Sequence, residues 1–268
     1  MSSHGSAVLE EAKAARRLIA EIIHKAGASH IGTAYSCVEI LRAIYRNVDV
    51  ARIMAGDQGR DRVILSKGHG ATALYTVMHQ FGLMGIDDLR TYGQNGSLLS
   101  GHVSHFIPRV EHSTGALGHG LSVGVGAAIG LRGIRPDACV YVVTGDGELH
   151  EGSNWEACML AAHLQLNNLR LFVDVNNLCG IAHTSSACCL DPLTDKFRSF
   201  GFETYNVDGH DEDALAALIT RVKGSERPVA FVCRTIKGKG ISFMEGQNVW
   251  HYRPPNKEAM EKILVELA

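Results

Sequence analysis

The chain has 268 residues, 46% of them hydrophobic, enough for one large core or two modest domains. A formal net charge of −2 and an aromatic content of 6% give no electrostatic or stacking case for nucleic acid, and none for an anionic membrane surface. No apolar run approaches the roughly 18 residues that a membrane span needs. The seven cysteines are odd in number and form no CxxC, so reduced thiols of a cytoplasmic protein are the expectation, without a zinc site.

The first six residues, MSSHGS, are expected to be disordered. Residues 7–26 then place Leu9, Ala12, Leu18, Ile19, Ile22 and Ile23 at helical spacing. The flanking charges make this a surface helix and not a secretion signal. GASHIGTAYS reads as a break and Cys37–Arg46 as a short helix. RDRVILS reads as a strand, followed by a Gly-rich turn and a helix over His69–Phe81. Residues 85–115 show no periodicity, and a loop that long in a compact domain is usually functional. A helix rich in Gly and Ala covers about 118–132. From there the alternation is regular: strand 139–144, helix 152–164, strand 170–175, helix 192–200, strand 203–207, helix 211–223, strand 229–235. A Gly-rich loop and a last helix over 256–267 close the chain. Strands separated by helices imply right-handed crossovers, so the expected fold is α/β, a doubly wound, mostly parallel sheet flanked by helices. No repeat or linker divides it, and 1–268 reads as one domain.

Ligands of such sheets bind beyond the carboxyl ends of the strands. Asp146, in Gly145-Asp146-Gly147, follows one strand, and Asn176 follows the next, a single crossover later. A carboxylate and an amide oxygen are hard ligands, suited to Mg2+ or Ca2+. Gly145 and Gly147 let the backbone approach a bulky anion, and the helix after them offers free N–H groups. Singly, each motif is also an ordinary turn, and Asp146 is equally a helix cap. Together they describe a divalent ion held between protein oxygens and a diphosphate. A dinucleotide fold fits less well: TGDGELHEG lacks the GxGxxG spacing, and GVGAAIG follows no strand.

GDG followed some thirty residues on by NN resembles the thiamine-diphosphate motif of transketolases. LSKGHGATALY, GHVSHFIPRVEHSTGALGHGLSVGVGAA, GDGELHEGSNWEA, VDGHD and RTIKGKGISFME…WHYRPP resemble transketolase segments in the same order, over residues 8–268. The likeness is to the N-terminal, pyrophosphate-binding part of the family. It implies that Asp146 and Asn176, with the backbone carbonyl of Leu178, bind Mg2+ or Ca2+. It places Gly145, Gly147 and Glu148 beside the diphosphate of thiamine diphosphate, and Gly115 and Leu117 near the aminopyrimidine. His30, His69, His102 and His251 would face the thiazolium C2 and the substrate hydroxyls, with His69 also touching the cofactor. His105 and His112 compete with His102 in the same loop, and His4, His79 and His163 read as surface or satisfied structural residues.

This sequence departs from the family at His119 and His150, where glutamine is common, at Gly70, where alanine is usual, and at Cys188-Cys189, in a loop that is generally polar. The resemblance further implies a split transketolase. A separate C-terminal subunit would bring the pyrimidine-binding domain and its activating glutamate, the pair assembling as an α2β2 heterotetramer. The reaction implied is transfer of a two-carbon ketol unit from a ketose, phosphorylated, to an aldehyde. Related carbon–carbon lyase or synthase chemistry, including 2-oxo acid decarboxylation, stays open, as does a non-catalytic cofactor-binding partner.

Overall fold

The computed structural model describes residues 3–268. Helix α1 (Ser3–Ala26) starts four residues before the predicted helix, so Ser3–Ser6 are helical and not disordered; residues 1 and 2 lie outside the described part. Then come α2 (Ile31–Ser36), α3 (Val38–Tyr45), α4 (Val50–Met54), β1 (Arg62–Leu65), α5 (Ala71–Gln80), α6 (Ile86–Leu89), α7 (Gly120–Ile134), β2 (Val140–Gly145), α8 (Gly152–His163) and β3 (Leu169–Val175). The chain ends with α9 (Thr184–Ala187), α10 (Leu193–Ser199), β4 (Glu203–Asp208), α11 (Glu212–Arg221), β5 (Val229–Arg234) and α12 (Lys257–Glu266).

The five strands form one sheet in the order β1-β2-β3-β5-β4, every pair parallel. Strands β2 and β3 are buried along their whole length, so neither alternates between core and solvent; β3 buries Arg170 and Asp174 among its apolar residues. Alternation still sorts their side chains. Val63, Leu65, Tyr141, Val143, Phe172 and Phe231 meet α1, α3, α5, α11 and α12 on one face. Ile64, Val140, Val142, Leu171, Val173 and Val232 meet α7, α8 and α10 on the other. The sheet is thus wound on both sides, as expected.

Three short helices were not anticipated, α2, α4 and α9, together with the single turn α6 in the irregular segment. Of these α2 matters most. GASHIGTAYS is broken only as far as His30, whose φ of 75° lies in the left-handed region. All six residues of α2 are buried, so packing and not intrinsic propensity makes this helix. The glycines of α7 divide by face. A Cβ on Gly120 or Gly124 would lie 2.4 Å from Ser66 Oγ or Val142 Cγ2, whereas Gly126 and Gly130 have no atom within 4 Å. The helix therefore lies close on the sheet with one side and leaves the other bare. No helix of the described residues is long and apolar enough to cross a membrane.

Candidate functional site

The register Gly145↔Asp174 sets the ends of β2 and β3 side by side, and the two turns that follow interlock. Asp146 Oδ1 accepts the N–H of Gly147 at 2.8 Å, and its Oδ2 accepts the N–H of Asn177 at 2.6 Å. Asn176 Oδ1 accepts the N–H of Leu178 at 3.1 Å. Asn177 adopts φ 62°, which turns the chain after β3 back across the cleft. The acidic turn and the amide turn share one wall because each ties up a backbone donor of the same loop.

These residues line a cavity of about 230 Å³ together with His30, Lys67, His69, His102, Gly115, Leu117, Glu148, Cys179 and His251. Every residue that the sequence placed at the site, Gly145, Gly147 and Leu178 included, is on that wall. A larger hollow of about 470 Å³ beneath the irregular segment shares none of its lining residues.

Burial first, then the neighbouring Asp174, raise the Asp146 carboxyl to about 6, against the pull of the Gly147 and Asn177 amides and Lys67. A cation beside it would favour the ionised form. The donor set is one carboxylate, one amide oxygen and, at Leu178, one backbone carbonyl, which suits a hard cation. Among the described residues no group of three or more His, Cys, Asp or Glu could hold a metal ion.

Two lysines escaped the sequence reading. Lys67, in LSKGHG, is 1% exposed and pairs with Asp174, which is 0% exposed. Asp174 sits on the Phe172 face of β3 and also accepts from Thr235 and, at 2.6 Å, from Ser36. Burial opposes the charge of Lys67, but Asp174 outweighs it and raises the ammonium's pKa. Lys237, in RTIKGKG, donates to Leu178 O at 3.4 Å, to Asn248 Oδ1 at 3.2 Å and to His251 Nδ1 at 2.9 Å. Burial, then Lys67, lower its pKa to about 8. Lys67 lines the cavity with its charge balanced by Asp174, whereas Lys237 lies behind the wall, its ammonium held by Leu178, Cys179, Asn248 and His251. Both follow a strand end and precede a glycine, a pattern that an ordinary surface loop shares.

The four histidines form one cluster around His30, whose ring centroid lies 5.4 Å from His69, 5.7 Å from His102 and 5.1 Å from His251. The left-handed backbone at His30 turns its ring inward, and its N–H donates to His251 O at 2.8 Å. Burial, then His102 and the lysines, bring His30 down to about 4; burial and Lys237 bring His251 down to about 3. Burial and Lys67 push His69 well below its ordinary range. These three imidazoles are neutral at pH 7, so each offers one donor and one acceptor. Because an ammonium only donates, His251 Nδ1 is the acceptor and its proton sits on Nε2.

Of the three histidines in the irregular loop, His102 is the one that lines the cavity; His105 is exposed and hydrogen-bonded to Ser113 at 2.7 Å. Tyr75 and Ser100 donate to His102 O at 3.2 and 2.9 Å. Gly115 has φ 143°, and a Cβ there would lie 2.8 Å from His102 Cδ2. Gly68 backs directly onto Thr114, where a Cβ would lie 2.5 Å from the carbonyl carbon. Gly68 lets the loop that carries His69 pack on the Thr114 backbone, and Gly115 leaves room for the His102 ring.

Glu148 turns most of its carboxylate to the fold. It accepts from Ser66 Oγ at 2.5 Å, from Gly118 N at 3.0 Å and from Gly145 N at 3.2 Å, tying three loops together at the cavity floor. The departures flagged in the sequence sort clearly. A Cβ on Gly70 would meet ordinary contacts at 3.6 Å, so alanine fits there. His119 is exposed, and His150 reaches Cys188 O at 2.9 Å outside the cavity. Cys188 and Cys189 are exposed, while the thiol that reaches the cavity belongs to Cys179.

Residues 9–264 match the family model described as transketolase, thiamine diphosphate binding domain. The chain is 40% identical over 263 residues to an apulose-4-phosphate transketolase subunit of Actinobacillus succinogenes, covering 96% of this chain and 95% of the relative. It is 34% identical to a 6-deoxy-6-sulfo-D-fructose transketolase subunit of a Clostridium species, covering 100% and 98%. The solved transketolase of Campylobacter jejuni superposes with a TM-score of 0.88 at 28% identity, over 97% of this chain and 42% of that one. This chain thus spans about two-fifths of the solved transketolases that it matches.

Proposed function

The chain belongs to the transketolase N-terminal, thiamine-diphosphate-binding family, and on that premise we propose that it is the N-terminal subunit of a two-chain transketolase. Residues 1–268 form a single pyrophosphate-binding domain in this reading. The observation that carries it is the interlocked pair of turns at Asp146 and Asn176, which line one cavity with four clustered histidines.

Asp146, Asn176 and the carbonyl of Leu178 would hold Mg2+ or Ca2+, and the cation would offset the charge of the diphosphate. Gly145 and Gly147 would let the backbone approach the diphosphate, and Gly115 and Leu117 would stand near the aminopyrimidine. When bound, thiamine diphosphate supplies a carbanion-stabilising centre for cleavage of a ketose carbon–carbon bond. The chain's own part is to orient and to move protons. Neutral His30 and His69 each accept or donate a proton at the substrate hydroxyls, His102 adds a third imidazole, and His251 presents its Nε2–H.

The partner is a separate chain that brings the pyrimidine-binding domain and the glutamate that activates the cofactor, assembling as an α2β2 heterotetramer in the cytoplasm. The donor is a ketose with an anionic terminus. Support comes from the names of the relatives, whose substrates carry a phosphate or a sulfonate. Coexpression with a pyrimidine-domain chain tests this directly. The expected result is ketol transfer to an aldehyde by the purified pair and none by either chain alone. Ketol transfer by this chain without a partner overturns the two-chain reading.

A further inference from the structure

VDGHD (Val207–Asp211) has no part in the site so far described, yet its histidine touches the segment that carries a site lysine. His210 is 12% exposed and lies between two groups of opposite polarity. Its Nδ1 is 3.0 Å from Glu39 Oε2, and its Nε2 is 2.9 Å from the backbone nitrogen of Ile236. A backbone N–H can only donate, so Nε2 is the acceptor and the proton sits on Nδ1, where it points at the carboxylate. Glu39 is itself fixed. Arg16 Nη1 pairs with its Oε1 and Arg16 Nη2 with its Oε2, each at 2.7 Å, while the Arg16 guanidinium also donates to Tyr35 O at 3.0 Å.

The approach of this turn to β5 is built in. Gly209 donates to Arg234 O at 2.8 Å, and a Cβ on Gly209 would lie 2.4 Å from Thr235 Cγ2. One residue beyond Ile236, Lys237 donates to His251 Nδ1 at 2.9 Å, and His251 O receives the N–H of His30 at 2.8 Å. A continuous chain of directional contacts runs from Arg16 through Glu39 and His210 to Ile236, and from the next residue into the histidine cluster.

We propose that His210 is a positioning residue for the site: held on Glu39 by its Nδ1–H, it anchors the Ile236 amide and so keeps Lys237 on His251, which fixes His251 as its Nε2–H tautomer. The proposal rests on the reading of His251 as a site residue. The role needs an acceptor for the Ile236 amide at the Nε2 position, and the Nδ1–H on Glu39 fixes the tautomer that leaves Nε2 free to accept.

Two substitutions separate the halves of this role. Asn at 210 places an amide N–H near the Nδ1 position and keeps the Glu39 contact, but loses the acceptor for Ile236. Gln at 210 places an amide oxygen near the Nε2 position and keeps the Ile236 contact, but loses Glu39. The experiment records histidine ring nitrogen shifts on the full-length, nitrogen-15-labelled chain, with calorimetry of thiamine diphosphate and Mg2+ alongside. Wild type should show His210 as the Nδ1–H form and His251 as the Nε2–H form. H210N should release the His251 tautomer into averaging and weaken cofactor binding about fivefold, the order of one lost hydrogen bond, while H210Q stays within about twofold of wild type. An Nε2–H form of His210 in the wild type overturns the proposal, and this needs no variant to fold. So do unchanged His251 shifts in H210N, or a larger effect of H210Q than of H210N, which would make Glu39 the sole beneficiary. Wild-type chain that binds no thiamine diphosphate, even with a pyrimidine-domain chain, would defeat the functional reading while leaving the ring tautomers to decide this one.

Discussion

Glu39 is the clearest place to test how this fold tolerates charge in its interior. It is 5% exposed, on the α3 face that packs toward α1, and Arg16 and His210 surround it. Burial by itself would raise the carboxyl; the Arg16 guanidinium, then the hydrogen bond from His210, reverse that and bring it from 4.5 down to about 2. A folded-state value below the unfolded one means a contribution present above about pH 4.5 and lost as pH falls through about 2. The difference corresponds to about 3 kcal/mol at pH 7 and about half of that at pH 3. Glu39→Gln removes this term and leaves Arg16 as a buried charge without its counter-ion. For a chain of this size, the melting temperature should fall by roughly 6–12 °C at pH 7. Urea unfolding of wild type and variant at pH 7, 4 and 3 measures it, with circular dichroism confirming native structure. A loss below about 1 kcal/mol at pH 7, or a difference that fails to shrink on acidification, refutes the argument from the buried pair.

Other expectations follow from single contacts. Gly124→Ala drives a methyl into Val142 and should destabilise the chain by about 1–3 kcal/mol in urea unfolding, whereas Gly126→Ala, with open space around it, should stabilise α7 by up to about 1 kcal/mol. Equal effects of the two would mean that α7 does not lie on the sheet as described. Lys67→Met strands Asp174 and should cost about 3 kcal/mol, and adding Asp174→Asn should recover most of it; a double variant no better than the single would show that the pair is not the cause. Thiamine diphosphate with Mg2+ at about 100 times its dissociation constant should add about 2.7 kcal/mol of stability, read as a rise in melting temperature, and Asp146→Ala should abolish the rise. Gly115→Ala, whose methyl meets the His102 ring, should lower kcat of the assembled enzyme about tenfold with less effect on cofactor affinity; an unchanged kcat would remove His102 from the reaction.

Much of the architecture was open to inspection in the sequence. Regular alternation of strand-like and helix-like runs from Val140 onward specifies parallel strands with crossovers, because a parallel strand needs a helical connection to return to the same sheet edge. Asp146 and Asn176 were legible for a related reason: residues just past neighbouring strands meet at one sheet edge whatever surrounds them. Helix α2 was not legible, since its stability comes from burial among distant elements and its entry from a left-handed His30. Nor were Lys67 and Lys237, which look like surface charges until the fold closes over them. Glu148 lines the cavity, and the contacts of its oxygens with Ser66, Gly118 and Gly145, groups up to 82 residues away in the chain, are not legible in the sequence. The order of apolar and polar residues along the chain determined the kind of sheet and the edge at which chemistry gathers. Only the tertiary structure decided which buried charges pair and how the His210 and His251 rings are protonated, because those depend on atoms brought within hydrogen-bond distance across the whole chain, and no local pattern encodes such distances.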